Sequence, residues 1–109
     1  MTADYLESDA APSREEIDRT PGLVLLEFGT DGCGFCRTAA PHVTSLLGQH
    51  TGVRHIKVED GPGRPLGRSF RVRLWPNFVF LRDGAVVRQL ARPSAVELRE
   101  GFEALTSDR

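Results

Sequence analysis

Apolar positions follow three patterns along this chain. One is continuous. LVLLEF, residues 23–28, is broken only by Glu27, and a run of strand length predicts a central strand buried on both faces. Another alternates with period two. VRHIKVE, residues 53–59, predicts a strand, and NFVFLRDGAVVRQL predicts two strands joined at Asp83-Gly84, a strong hairpin signal. The last is helical. In SAVELREGFEAL the positions Val96, Leu98, Phe102 and Leu105 share one face, behind a capping box of Ser94 and Glu97. A further capping box, Ser13 with Glu16, predicts a short helix from Ser13 that Pro21-Gly22 ends. A helix from Gly34 or Phe35 to about Gly48 is expected, kinked at Pro41. A short one fits near Pro65. Residues 1–12 are weakly patterned, and DYLES reads either as a short edge strand or as a disordered stretch.

The strands first alternate with helices and then close in an antiparallel hairpin. That order predicts an α/β fold in one domain over residues 1–109, with a central mixed sheet of four to five strands and helices on both faces. The composition agrees: 39% of residues are hydrophobic and the net charge is −1, which is ordinary for a globular chain. Near-neutrality predicts no general affinity for nucleic acid or anionic membrane. No apolar run has transmembrane length. The polar, acidic start MTADYLESDAAPS lacks the pattern of a signal peptide, so a cytoplasmic location is expected.

Both cysteines of the chain lie in DGCGFC, as Cys33 and Cys36. One reading is zinc. Thirteen residues separate Cys36 from His50 and four separate His50 from His55, which fits a loose Cys2His2 spacing. The context speaks against it, because the cysteines follow a buried strand and open a helix, while the histidines fall on a helix end and a strand. His42, His50 and His55 read better as solvent-facing or partly buried polar residues. The other reading is redox. A cysteine in the first turn of a helix meets unpaired N–H groups and the positive dipole end, both of which stabilise a thiolate. Cys33 is therefore the expected nucleophile, and Cys36, one turn deeper, the resolving thiol. No cofactor beyond the Cys33–Cys36 disulfide is called for.

LVLLEFGTDGCGFCRTAAPHV and VRLWPNFVFLRDGAVV together resemble the thioredoxin family. The resemblance runs from about Leu23 to Leu105 and includes the apolar strand before the CxxC, a proline five residues past its second cysteine, and a later Trp-Pro before a hairpin. It implies the thioredoxin fold and thiol–disulfide oxidoreductase activity, with disulfide-containing proteins as substrates and a thioredoxin-reductase-like electron donor. It also implies a monomer. Pro76 matches the family's cis-proline, and Trp75 would offer backbone polar groups to an extended substrate. Gly34, Phe35 and Ala91 complete the expected substrate-facing set. Glu27 stands where the family has a buried acid, suited to take the proton of Cys36, with Lys57 on the neighbouring strand as its expected partner. A thioredoxin fold used as an adaptor, its CxxC idle, is the competing class.

The chain also departs from the family pattern. Gly32 and Gly29 stand where aromatic residues are usual, Phe35 replaces the proline between the cysteines, and Asn77 replaces a threonine. These changes point to a narrower partner set than that of a general thioredoxin. Phe35, unlike proline, supplies an N–H that can serve the Cys33 thiolate. Trp75, the one tryptophan, is expected to cover Cys33 in place of the missing neighbour. Arg64, Arg68, Arg71 and Arg73 read as a solvated loop, with steering toward an acidic partner as the functional alternative.

Overall fold

The structure is a computed structural model, and residues 5–7 and 10–107 are described. The elements run α1 (Arg14–Asp18), β1 (Leu23–Gly29), α2 (Gly34–Gln49), β2 (Val53–Glu59), α3 (Pro65–Ser69), β3 (Asn77–Arg82), β4 (Ala85–Ala91) and α4 (Ala95–Thr106). The sheet order is β2-β1-β3-β4. β1 pairs with β2 in parallel and with β3 antiparallel, and β3 with β4 antiparallel. This is the α/β arrangement expected from the element order.

β1 lies inside the sheet because its continuous apolar run can be covered on both sides. Val24, Leu26 and Phe28 join Ile17 of α1, Leu66 of α3 and Phe70 in one core. Leu25 joins Ala39, Val43 and Leu46 of α2 and Leu98, Phe102 and Leu105 of α4 in the other. Alternation along the strand therefore puts Glu27 on the α2 side. That single choice of face brings a carboxylate to the start of the cysteine helix.

Both predicted capping boxes form. Ser13 and Ser94 each accept from the N–H three residues on, and Glu16 and Glu97 each reach back. The hairpin turns through Asp83 (φ 51°) and Gly84 (φ 82°), the left-handed conformations such a turn needs. Its tip is clasped to the start of β1: Asp83 accepts from the Gly22 N–H at 2.8 Å and donates its own N–H to the Gly22 carbonyl at 2.9 Å. Arg82 donates to the carbonyls of Ala104, Leu105 and Ser107, serving the open C-terminal end of α4.

Within DYLES, Leu6 makes a single parallel bridge to Val58, with its N–H on the Lys57 carbonyl at 2.7 Å and its carbonyl taking the Glu59 N–H at 2.9 Å. The start of the 1–12 stretch and residues 8 and 9 lie outside the described residues. On α4, Val96 is 50% exposed and leaves the predicted apolar face. Gly101 takes the buried position instead. The reason is the ring of Phe80, since a Cβ at Gly101 would stand 2.6 Å from its Cζ.

Gly101→Ala tests which of two opposed effects wins. Alanine gains about 1 kcal/mol in helix propensity. Overpacking against a buried ring costs about 1–3 kcal/mol. A net destabilisation of about 1 kcal/mol is expected in urea unfolding, and a stabilised variant would show that the Phe80 ring yields freely.

Candidate active site

Cys33 is the N-cap of α2, with extended backbone (φ −86°, ψ 115°), and its sulfur accepts the Cys36 N–H at 3.2 Å. Thiols are poor caps, but a thiolate at this place faces the unpaired donors of the first turn. The donor that reaches it is the N–H of Cys36 rather than that of Phe35, which corrects the role expected for Phe35. Cys33 is partly exposed and Cys36 is 4% exposed, and both thiols are free. Burial pushes the Cys36 thiol up to about 11, and its hydrogen bond with Cys33 adds to the rise. The Tyr5 hydroxyl and the Thr30 backbone oppose it.

Glu27 is 2% exposed. Its two oxygens have different partners. Oε1 lies 2.8 Å from Nε2 of His55, and Oε2 accepts from the Tyr5 hydroxyl at 3.3 Å. The expected Glu27–Lys57 pair is not what forms. Lys57 is the register partner of Glu27, but its ammonium sits over the Tyr5 ring, 4.2 Å from the centroid. His55, the register partner of Leu25, takes the carboxylate instead. Both β2 residues were on the correct face by alternation, and only their side-chain reach separates them. An imidazole has a flat donor edge at short range, whereas lysine's long stem carries its charge past the acid.

Tyr5 was not anticipated. Its hydroxyl faces the Cys36 thiol as well as Glu27, and burial together with the Glu27 charge raises its pKa strongly. It occupies the space left by Gly29. A Cβ on that residue would stand 2.6 Å from both the Tyr5 oxygen and the Cys36 sulfur. The glycine in an aromatic's place was the one sequence signal, and the aromatic that fills the gap comes from the N-terminal segment.

A groove of about 180 Å³ is lined by Phe35, from between the cysteines, with His42, Pro76, Arg92 and Pro93. The Trp75–Pro76 peptide is cis. Gly34 opens α2, and Phe35 beside it is 58% exposed. Ala91 ends β4 opposite Asn77, one residue before the groove-lining Arg92. Arg92 (φ 47°) follows it and spans the groove. Its guanidinium lies over the Phe35 ring at 4.2 Å, its Nε donates to the Trp75 carbonyl at 2.8 Å, and its own N–H donates to the Pro76 carbonyl at 2.9 Å. The Trp75 carbonyl expected to be open to substrate is thus already engaged. The indole N–H of Trp75 donates to Asp60 at 2.8 Å, so the ring is tied to the segment after β2. It lines a cleft with Arg64, Arg68 and Arg73, and neither cysteine borders that cleft. Arg64 is itself paired with Glu59.

The zinc reading finds no support. Among the described residues no three His, Cys, Asp or Glu side chains come together as a metal site. His50 stacks on Phe102, with centroids 5.4 Å apart, and His55 is committed to Glu27.

Residues 6–102 match the Thioredoxin family model. Thioredoxin H2-1 of Oryza sativa subsp. japonica is 30% identical over 81% of this chain, which spans 64% of that protein's length. Thioredoxin Asp f 28 of Aspergillus fumigatus is 29% identical, over 79% of this chain and 81% of its own. Among solved structures, thioredoxin 2 from Pseudomonas aeruginosa PAO1 in its reduced form superposes with a TM-score of 0.84 at 53% identity, over 96% of both chains. Mitochondrial thioredoxin 3 from Saccharomyces cerevisiae, in its oxidised form, gives 0.71 at 25%, over 83% of this chain and 84% of its own. Thioredoxins are thiol–disulfide oxidoreductases, and with its CxxC pair, cis-proline and sheet order this chain belongs to the thioredoxin family.

Proposed function

We propose that this chain reduces disulfides in proteins through the Cys33–Cys36 couple. The observation that carries the reading is the placement of the two sulfurs: Cys33 partly exposed at the helix cap, its sulfur accepting the Cys36 N–H, and Cys36 buried behind it. An adaptor with idle cysteines has no need of that asymmetry. The Cys33 thiolate attacks one sulfur of the substrate disulfide, and the other sulfur leaves as a thiolate and takes up a proton. Cys36 then loses its proton and attacks Cys33, the mixed disulfide breaks, and the second substrate sulfur leaves as a thiol. The substrate gains two electrons and the protein ends as the Cys33–Cys36 disulfide.

The cycle needs no cofactor beyond the couple itself. It closes when an external dithiol donor of the thioredoxin-reductase kind reduces the disulfide again, which suits a reducing, cytoplasmic setting and a monomer. The groove by Pro76 is the place for an extended substrate segment, with Phe35 and Arg92 on its walls.

Insulin reduction driven by dithiothreitol tests the reading: wild type accelerates it, and Cys33→Ser reduces the rate to background. Full activity in Cys33→Ser would remove Cys33 as the nucleophile.

Only thiolates alkylate, so the raised pKa of Cys36 fixes its pH profile. Below about 11 the thiolate fraction rises tenfold per pH unit, and at pH 7 it is about one part in ten thousand. Iodoacetamide at pH 7 should therefore label Cys33 alone in the reduced protein, as read by peptide mass mapping. Comparable labelling of both cysteines would contradict the burial of Cys36.

Arg92→Ala frees the Trp75 carbonyl and uncovers the Phe35 ring. Reduction of substrates with acidic residues beside the disulfide should weaken several-fold, and that of neutral ones should hold or improve. Equal effects on both classes would deny Arg92 a part in substrate choice.

A further inference from the structure

The resolving step has a bookkeeping demand that the substrate makes harder. Cys36 must give up a proton while a bound protein covers the exposed side of the site. Glu27 can accept one, and its two oxygens are not equivalent. His55 holds Oε1 at 2.8 Å, which leaves Oε2 directed at the Tyr5 hydroxyl at 3.3 Å. That hydroxyl also faces the Cys36 thiol. Gly29 provides the room, because any side chain there would strike both the Tyr5 oxygen and the Cys36 sulfur. Lys57 over the ring holds the phenol in position. A phenol is both donor and acceptor, and so can pass a proton without keeping a charge.

We infer that Tyr5 relays the Cys36 proton to Glu27. Resting on the oxidoreductase reading, the step is as follows. The Cys36 S–H bond breaks as its proton passes to the Tyr5 oxygen, and the Tyr5 O–H bond breaks as its own proton passes to Oε2 of Glu27. Tyr5 ends neutral, now donating to the Cys36 thiolate instead of to the carboxylate. The thiolate's electron pair attacks Cys33, and the electrons of the broken mixed disulfide leave with the substrate sulfur. The strong upward shift of Tyr5's own pKa fits a relay that never rests as a phenolate. The charged and titratable groups facing the relay are Glu27 of β1, His55 and Lys57 of β2, and Cys33 and Cys36 at the start of α2.

Tyr5→Phe removes only the hydroxyl and keeps the ring beneath Lys57. The reduced protein is mixed with 5,5′-dithiobis(2-nitrobenzoate), and the two releases of thionitrobenzoate are followed from pH 6 to 9. The first reports attack by Cys33 and the second reports resolution by Cys36. In Tyr5→Phe the second phase should be about tenfold or more slower at pH 7, within the range general acid–base groups contribute. It should also rise more steeply with pH than in wild type, since deprotonation then depends on bulk base. A second phase equal to wild type at every pH overturns the relay. So does a uniform slowing with no change of slope, which marks a merely structural tyrosine. Titration of Cys36 by its 13Cβ shift in the same reduced proteins needs no turnover. Wild type should titrate near 11 and Tyr5→Phe higher, because a donor to the thiolate is gone. An equal or lower midpoint in Tyr5→Phe counts against the relay. A wild type that releases no second thionitrobenzoate refutes the oxidoreductase reading by itself, and the titration still decides the role of Tyr5.

Discussion

A carboxylate on the central strand of this sheet has to be satisfied without water. Glu27 sits among LVLLEF, and an ionised or even a neutral carboxyl there is costly unless both oxygens find partners. The surroundings of the site follow from that demand. β2 supplies His55 to one oxygen, which ties the parallel register of β1 and β2 to the chemistry. Tyr5 serves the other, next to Leu6, which is bridged to Val58 at the outer edge of β2. Gly29, two residues beyond the acid, leaves the space in which phenol and sulfur meet.

What could be read from the residues was whatever depends on neighbours in sequence. Helix caps at Ser13 and Ser94, the Asp83-Gly84 turn and the buried run of β1 are set by short-range rules, and each forms as expected. The same holds for the cysteine pair, since a CxxC that opens a helix places its own sulfurs. The partner of Glu27 depends on something else. Period-two alternation puts His55 and Lys57 on one face of β2 and does not say which reaches a carboxylate on β1. The register nominally favours Lys57, and side-chain length reverses the choice. Tyr5 was harder still, because it lies in a stretch with no periodicity and acts through a contact 22 residues away along the chain. Only the unexplained glycine at position 29 hinted that an aromatic had to arrive from elsewhere.

The substrate side shows the same division. The cis-proline and the exposed Phe35 belong to a local motif and stand where the motif puts them. Arg92 did not enter that reading at all. It comes from the end of β4, in the left-handed conformation that glycine most easily adopts, and it meets the groove only after the sheet has closed. Its three contacts, to a ring and to two carbonyls, set one guanidinium across a groove that is otherwise lined mostly by apolar side chains.

The bridge at Leu6 fastens the segment that carries Tyr5 with two backbone hydrogen bonds to an outer strand. Such a clasp can open without disturbing the two cores, since local unfolding draws on only the contacts it breaks. Each opening would take the phenol away and leave Glu27 and Cys36 facing solvent through the gap at Gly29. The dryness of the site is therefore a property of an equilibrium at the rim of the sheet rather than of the core. Whatever shifts that equilibrium, whether a fused tag, a bound partner or a cut before Leu6, retunes the buried thiol while the fold stays intact.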